Sequence, residues 1–270
     1  MVDESRSHRV QESAMTSSAS GHEDDGPELT GRSVPAGDSS PSRLLLSQAC
    51  DAVTSRTNAD GGAVTLMAPS GARELVYASN AVAHYLDDIQ FTAGLGPCLD
   101  AFSSGQPVLC PDLRRKEYEH RWLAFANDAT AAGAAAVFTF PLRVASTVFG
   151  VLELYRTRAG DPTPDEYAAM ERGADIVGQV VLTYFGAGEK SDGNGAEELS
   201  QDGHRRGIWD SEFSRPQINY AAGMVSVQLN VTFADALSAM RARAYLEQCS
   251  LTEIADDVVA HRTTFTQGET

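Results

Sequence analysis

The run Ala135-Ala136-Val137-Phe138-Thr139-Phe140-Pro141-Leu142-Arg143, followed after Val144-Ala145-Ser146-Thr147 by Val148-Phe149-Gly150-Val151-Leu152-Glu153-Leu154-Tyr155, decides the fold class. Both runs are dense in β-branched and aromatic residues, which suit a pleated surface. The short connection between them predicts an antiparallel hairpin. Downstream, Asp161-Pro162-Thr163-Pro164 ends the strand and starts a long helix that runs to about Phe185. Upstream, 63–67 and 74–79 read as two more strands around the turn Pro69-Ser70-Gly71, with Gly61-Gly62 breaking the chain before them. Leu45, Ala49, Ala52 and Val53 fall on one face of a first helix. Between Ala81 and about Thr130 the sequence reads as loop-rich, with short helical stretches. The fold class is α+β: one antiparallel sheet flanked by helices.

The helix ending near Phe185 carries Tyr167, Met170, Ala174, Val177, Val181 and Tyr184 at alternating spacings of three and four. That is the spacing of a two-helix seam. It predicts a homodimer through this helix, and packing of the helix on its own sheet is the other reading.

Composition bounds the rest. The chain has 270 residues, of which 42% are apolar and 21% charged, as in globular proteins. No apolar run is long enough to span a bilayer and no secretory h-region opens the chain, so a cytoplasmic location without membrane contact is expected. The net charge of −16 argues against broad, sequence-independent nucleic-acid binding, which needs a basic field, though not against a small site. Residues 1–40 hold eight acids against three bases with few aliphatic residues and read as a disordered acidic tail. A Gly-rich, polar stretch at 187–209 reads as a flexible linker. These stretches set off a block at 41–186 and a smaller one at 210–265.

In the smaller block, Ser214/Gln217, Thr232/Asp235 and Ser250/Glu253 have capping-box spacing, and each precedes an apolar stripe. The stripes are Ile218, Ala222, Val225, Leu229, then Phe233, Ala236, Leu237, Met240, Ala244, then Leu251, Ile254, Ala255, Val258, Val259. A small C-terminal three-helix bundle follows. Gly223 beside Ala221 and Ala222 makes a small-residue patch in its first helix, where tight packing inside the bundle is the alternative.

The larger block resembles a GAF domain, a small-molecule sensor fold. The resemblance is carried by Gly94-Leu95-Gly96-Pro97-Cys98-Leu99-Asp100-Ala101, Pro111-Asp112-Leu113, Arg121-Trp122, Phe140-Pro141-Leu142-Arg143 and Gly150-Val151-Leu152-Glu153-Leu154-Tyr155. The smaller block resembles an ANTAR domain. Its first helix matches at Arg215-Pro216-Gln217-Ile218-Asn219-Tyr220-Ala221-Ala222-Gly223-Met224-Val225. Its second matches from Ala236-Leu237 to Met240-Arg241-Ala242-Arg243-Ala244, and its third at Leu251-Thr252-Glu253-Ile254-Ala255 with Val258-Val259. The pair of resemblances implies a transcription antitermination regulator. A GAF-like sensor would take a small ligand, and an ANTAR-like output would bind paired RNA hairpin loops in nascent transcripts, as a dimer.

Candidate RNA-binding residues are Arg215, Ala222, Gly223, Arg241 and Arg243. Helical geometry pairs Arg243 with Glu247, four residues on, and leaves Arg241 beside Tyr245 without an acid along the helix. An unpaired arginine next to an aromatic suits a phosphate or a loop base. Candidate lining for a ligand pocket is Tyr77, Phe91, Trp122, Phe125 and Phe138, each of which could equally be core. No cofactor is indicated, and no catalytic set or metal-ligand spacing stands out. His84 and His120 are the candidates for haem ligation, with an ordinary hydrogen-bonded or solvated imidazole the other reading. Two other function classes stay open. Cys98 with Cys110 could act as nucleophile and resolving thiol, as in the methionine-sulfoxide reductase that shares the GAF fold. Alternatively the output could bind protein, since 204–270 holds six Lys/Arg against eight Asp/Glu.

Overall fold

A computed structural model of the protein describes residues 41–185 and 215–266. The expected acidic tail, the expected linker and Ser214 of the first capping box lie outside the described residues. In chain order the elements are α1 (Pro41–Arg56), β1 (Gly61–Met67), β2 (Arg73–Ala78), α2 (Ala81–Ala93), α3 (Pro97–Ser104), β3 (Val108–Cys110) and α4 (Lys116–Ala131). They continue with β4 (Ala136–Val144), β5 (Thr147–Arg156), α5 (Pro164–Phe185), α6 (Pro216–Leu229), α7 (Phe233–Glu247) and α8 (Leu251–Val259).

The five strands form one antiparallel sheet in the order β2-β1-β5-β4-β3. The β4–β5 hairpin sits at its centre, as its composition predicts. Strand alternation sends Phe138, Phe140, Leu142, Leu152 and Leu154 to one face, where they pack with α1 and α5. Val137, Glu153 and Tyr155 point to the other face, which α2, α3 and α4 cover.

Three expectations are corrected. Gly61 and Gly62 do not break the chain but open β1. A Cβ at Gly61 would come within 2.6 Å of the Tyr155 ring, and one at Gly62 within 2.9 Å of the Glu153 carbonyl oxygen, so side chains crowd the first position and a neighbouring backbone the second. The stretch 81–130 is more regular than its composition suggests. Asn80 caps α2 by accepting from the Ala83 amide, and Gly94 and Gly105 end α2 and α3 in the left-handed region at φ 69° and 62°. Finally, the three-four seam of α5 is internal. Met170, Ala174, Val177 and Val181 are buried against α1 and the sheet. A periodic apolar stripe has the same appearance whether a second copy or the chain's own sheet covers it.

The C-terminal helices form the expected bundle. Thr232 accepts from the Asp235 amide at the start of α7, and Ser250 with Glu253 makes a complete capping box on α8. Asn230 and Gln248 end α6 and α7 at positive φ. The bundle core includes one side chain from outside it, Phe91 of α2. Among the described residues no helix is long and apolar enough to cross a membrane.

Because Val177 is wholly buried in the core of the larger block, Val177→Asp should unfold that block rather than split a dimer. The expected loss is above about 4 kcal/mol, the range of severe core lesions. Loss of the cooperative thermal transition in circular dichroism checks it. A folded, monomeric variant would restore the seam to an intermolecular role.

Candidate functional site

The buried residues of α2 are Ala83, Leu86, Asp87, Gln90 and Phe91. The spacing is that of an amphipathic helix, but two positions in the stripe are polar. Both meet polar partners on the sheet. Thr65 of β1 donates its hydroxyl to Asp87 at 2.6 Å. The Gln90 side-chain amide donates to Glu153 Oε2 at 2.7 Å and to the Leu86 carbonyl at 3.1 Å. The Gln90 oxygen in turn accepts from the Cys98 backbone N–H at 2.8 Å, at the start of α3. Gly96 makes room for this contact: a Cβ there would lie 2.5 Å from Gln90. Cys98 Sγ donates to the same Glu153 oxygen at 3.0 Å.

Arg73, at the first position of β2, is buried with this cluster. It donates to the Gln90 carbonyl at 3.2 Å and lies 3.6 Å from Asp87. Its Nε and Glu153 Oε1 have no hydrogen-bond partner. Buried polar atoms normally find one, so the cluster holds unused capacity on the sheet face.

Burial dominates the electrostatics. It pushes the Glu153 carboxyl up to about 7, with the bonds from Cys98 and Gln90 pulling the other way. Burial also raises the Cys98 thiol well above its ordinary value, with Glu153 adding to the effect, and pushes Cys110 up to about 12. Both thiols are held protonated. Burial likewise pushes Asp87 up, but Arg215 and Arg73 outweigh it and hold this carboxyl below its usual range.

Arg215, just before α6, donates to Asp87 at 2.9 Å and to Asp88 at 3.1 Å. Its guanidinium carbon lies 4.2 Å from the Phe91 ring centre. Arg241 of α7 donates through Nε and a terminal nitrogen to the Phe91 carbonyl at 3.0 and 2.7 Å, and sits 5.5 Å from the same ring centre. Arg73 approaches that ring at 5.6 Å. Burial, with Arg73 and Arg215 nearby, lowers Arg241 to about 10. An open groove of about 940 Å³ lies alongside, lined by Ile89, Thr92, Ala124, Arg241, Tyr245 and Leu246 among others.

The expected RNA-binding residues therefore occupy different surroundings. Arg243 pairs with Glu247 at 2.6 Å as its spacing predicts, and also stands over Phe265. Arg241 is not solvated beside Tyr245 but turned to α2, where it meets a backbone carbonyl that no spacing along α7 could reveal. Arg215 is engaged by acids of α2. Ala222 is fully buried in the bundle, whereas a Cβ at Gly223 would meet nothing within 4 Å.

The expected pocket residues do not share one cavity. Phe138 and the half-buried Tyr77 pack on the α1 and α5 side, Trp122 and Phe125 on the α2 and α4 side, and Phe91 in the helical bundle. The Trp122 ring stacks on Tyr118 and meets Phe125 edge-on. Aromatic content alone did not distinguish these settings. The residues missed were Thr65, Arg73, Asp87, Gln90 and Glu153. The available signal was a glutamate inside an otherwise apolar strand. Among the described residues no group of three or more His, Cys, Asp or Glu could hold a metal ion.

The raised Glu153 carboxyl fixes a pH dependence. In the unfolded chain it ionises near 4.5, whereas in the fold it stays protonated to about 7. Its contribution to stability is full below 4.5 and is lost as pH rises through 7, by roughly 2–4 kcal/mol. Asp87 acts in the opposite sense, losing its contribution as pH falls through its depressed value. Glu153→Gln should therefore flatten the stability profile between pH 4.5 and 7, measured by urea unfolding. An unchanged slope would place that ionisation elsewhere.

Residues 41–181 match the GAF domain family. Solved structures of similar fold include the GAF domain of a two-component sensor histidine kinase from Bacillus halodurans, at 15% identity and TM-score 0.38, covering 52% of this chain and 92% of that one. Others are the photoproduct state of GAF3 from Slr1393 of Synechocystis, at 17% identity and TM-score 0.40 (53% and 94%), and the type II free methionine-R-sulfoxide reductase of Thermoplasma acidophilum, at 14% and 0.38 (53% and 94%). No curated protein is similar by sequence. With the family match spanning more than half of its length, the chain belongs to the GAF domain family.

Proposed function

We propose that the protein is a cytoplasmic, signal-responsive regulator of transcription antitermination. Its GAF domain senses a small ligand and its C-terminal bundle binds paired RNA hairpin loops as an ANTAR-type output. GAF domains are typical of signalling proteins, which supports the sensing half. The RNA half rests on the resemblance of three segments to the ANTAR helices, and α6, α7 and α8 each coincide with one of them.

The observation that carries the reading furthest is the surface chemistry of the bundle. Tyr220 and Tyr245 are 64% and 85% exposed. Aromatic faces offered to solvent suit unstacked loop bases, which RNA-binding modules read by stacking. The net charge of −2 across 204–270 restricts binding to such a small site.

A binding role is favoured over thiol catalysis. Cys98 and Cys110 are buried and held protonated, and the thiolate is the nucleophilic form. A protein-binding output is the second reading, favoured by Val227 and Leu246, which are 81% and 76% exposed.

Crosslinking the protein to RNA in cells and sequencing the bound fragments should recover transcript leaders with paired hairpins. Tyr245→Ala should cut that recovery, in line with a loss of roughly 1–3 kcal/mol per stacked base. Recovery of no such leaders overturns the RNA reading. Measurable methionine-sulfoxide turnover that Cys98→Ser abolishes would replace it with an enzymatic one.

A further inference from the structure

We propose that α6 and α7 are latched onto the sensor through Phe91, and that in the latched chain Arg215 and Arg241 are withheld from the RNA that the helical bundle binds. The identity of the withheld partner rests on the RNA reading above. The latch rests on geometry alone.

One aromatic ring of α2 is the meeting point of the two blocks. Phe91 is 1% exposed and counts in the core of the helical bundle, although its backbone belongs to the sensor. Two guanidiniums from the bundle lie at 4.2 and 5.5 Å from its centre. Some of their donors are engaged as well. One terminal nitrogen of Arg215 is shared between Asp87 and Asp88, and two nitrogens of Arg241 converge on the Phe91 carbonyl. The blocks approach closely: a Cβ at Gly94 would lie 2.8 Å from the Arg241 guanidinium, and one at Gly71 3.2 Å from the Ala234 Cβ. While the blocks remain together the Arg215 side chain is nearly buried, and two of the three Arg241 nitrogens are committed to the Phe91 carbonyl.

The same contact is built to open. Arg241 pairs with no carboxylate among the described residues and is crowded by Arg73 and Arg215. Undocking returns its charge to water and relieves that repulsion. A groove of about 940 Å³ opens between the blocks beside the ring. The anchor on the sensor side is Asp87, which also bonds Thr65 and Arg73 on the sheet. A change in the buried polar cluster that draws Asp87 inward would weaken its hold on Arg215.

The test uses the full chain. Gly71→Cys with Ala234→Cys, in a Cys249→Ser background, places two thiols near disulfide distance across the closed interface. Mild oxidation should lock the latch and reductant should release it. Binding of a two-hairpin RNA at one fixed salt concentration should be at least about tenfold weaker for the oxidised form than for the same protein reduced. Phe91→Ala, which leaves both arginines in place, should enlarge the radius of gyration in small-angle scattering and bind the RNA at least about tenfold more tightly than wild type.

If the disulfide does not form and Phe91→Ala leaves the radius unchanged, there is no latch. Equal RNA affinity of the oxidised and reduced forms overturns the masking while the RNA reading stands. Failure of the oxidised, reduced and Phe91→Ala proteins alike to bind the RNA overturns the RNA reading and the masking with it. The crosslink would then report docking alone. Should Phe91→Ala fail to fold, the oxidised and reduced pair decides the matter unaided.

Discussion

The carboxylate of Asp87 is the constraint on which the rest of the arrangement depends. It is 1% exposed, and burial of an unpaired charge costs far more than a domain can spare. Its charge survives only because a hydroxyl from β1, a guanidinium from β2 and a second guanidinium from just before α6 converge on it. These partners come from positions 65, 73 and 215, so one side chain ties the sheet edge, helix α2 and the helical bundle together. Breaking a buried pair by removing one partner strands the other charge. Arg215 is therefore as much a part of the sensor's interior electrostatics as of the bundle.

A second carboxylate on the same face is handled in the opposite way. Glu153 receives donors, but no cation bonds it directly, and burial holds it protonated to about 7. Asp87 stays ionised because it faces two arginines, whereas Glu153 resists ionisation because it faces an amide and a thiol. Gln90 links the two sites. Its side chain bonds Glu153 and the start of α3, and its carbonyl accepts from Arg73. The sheet face under α2 and α3 is accordingly polar at its centre, with unpartnered atoms on Glu153 and Thr139.

What the sequence disclosed follows the range of the forces involved. The β4–β5 hairpin, α5 and the three C-terminal helices declare themselves because periodicity, turn chemistry and caps are local. Ser250 and Glu253 lie three residues apart and make the box that their spacing implies. Arg243 and Glu247 lie one turn apart and pair. The contacts of Asp87, Glu153 and Arg241 span 14 to 150 residues, and nothing in a local window encodes them. The α5 seam fails for a related reason: Val177 is apolar at a coiled-coil spacing, yet its partner is the chain's own sheet. Phe91 and Phe138 have the same composition-level signature, though one fills the bundle and the other the sheet's far side.

Arg241 is where these threads meet. No acid along α7 competes for it, and its acceptor in three dimensions is a neutral carbonyl. A guanidinium without a counter-charge, beside two others and half removed from water, gains less from docking than Arg215, which has two carboxylates. The two arginines thus divide the work of the interface. Arg215 supplies a charge-paired anchor, and Arg241 supplies a contact that the presence of an external anion would readily outbid. A phosphate offers Arg241 the counter-charge that Phe91 cannot, so the residue most suited to leave the interface is the one whose departure a nucleic-acid partner would reward.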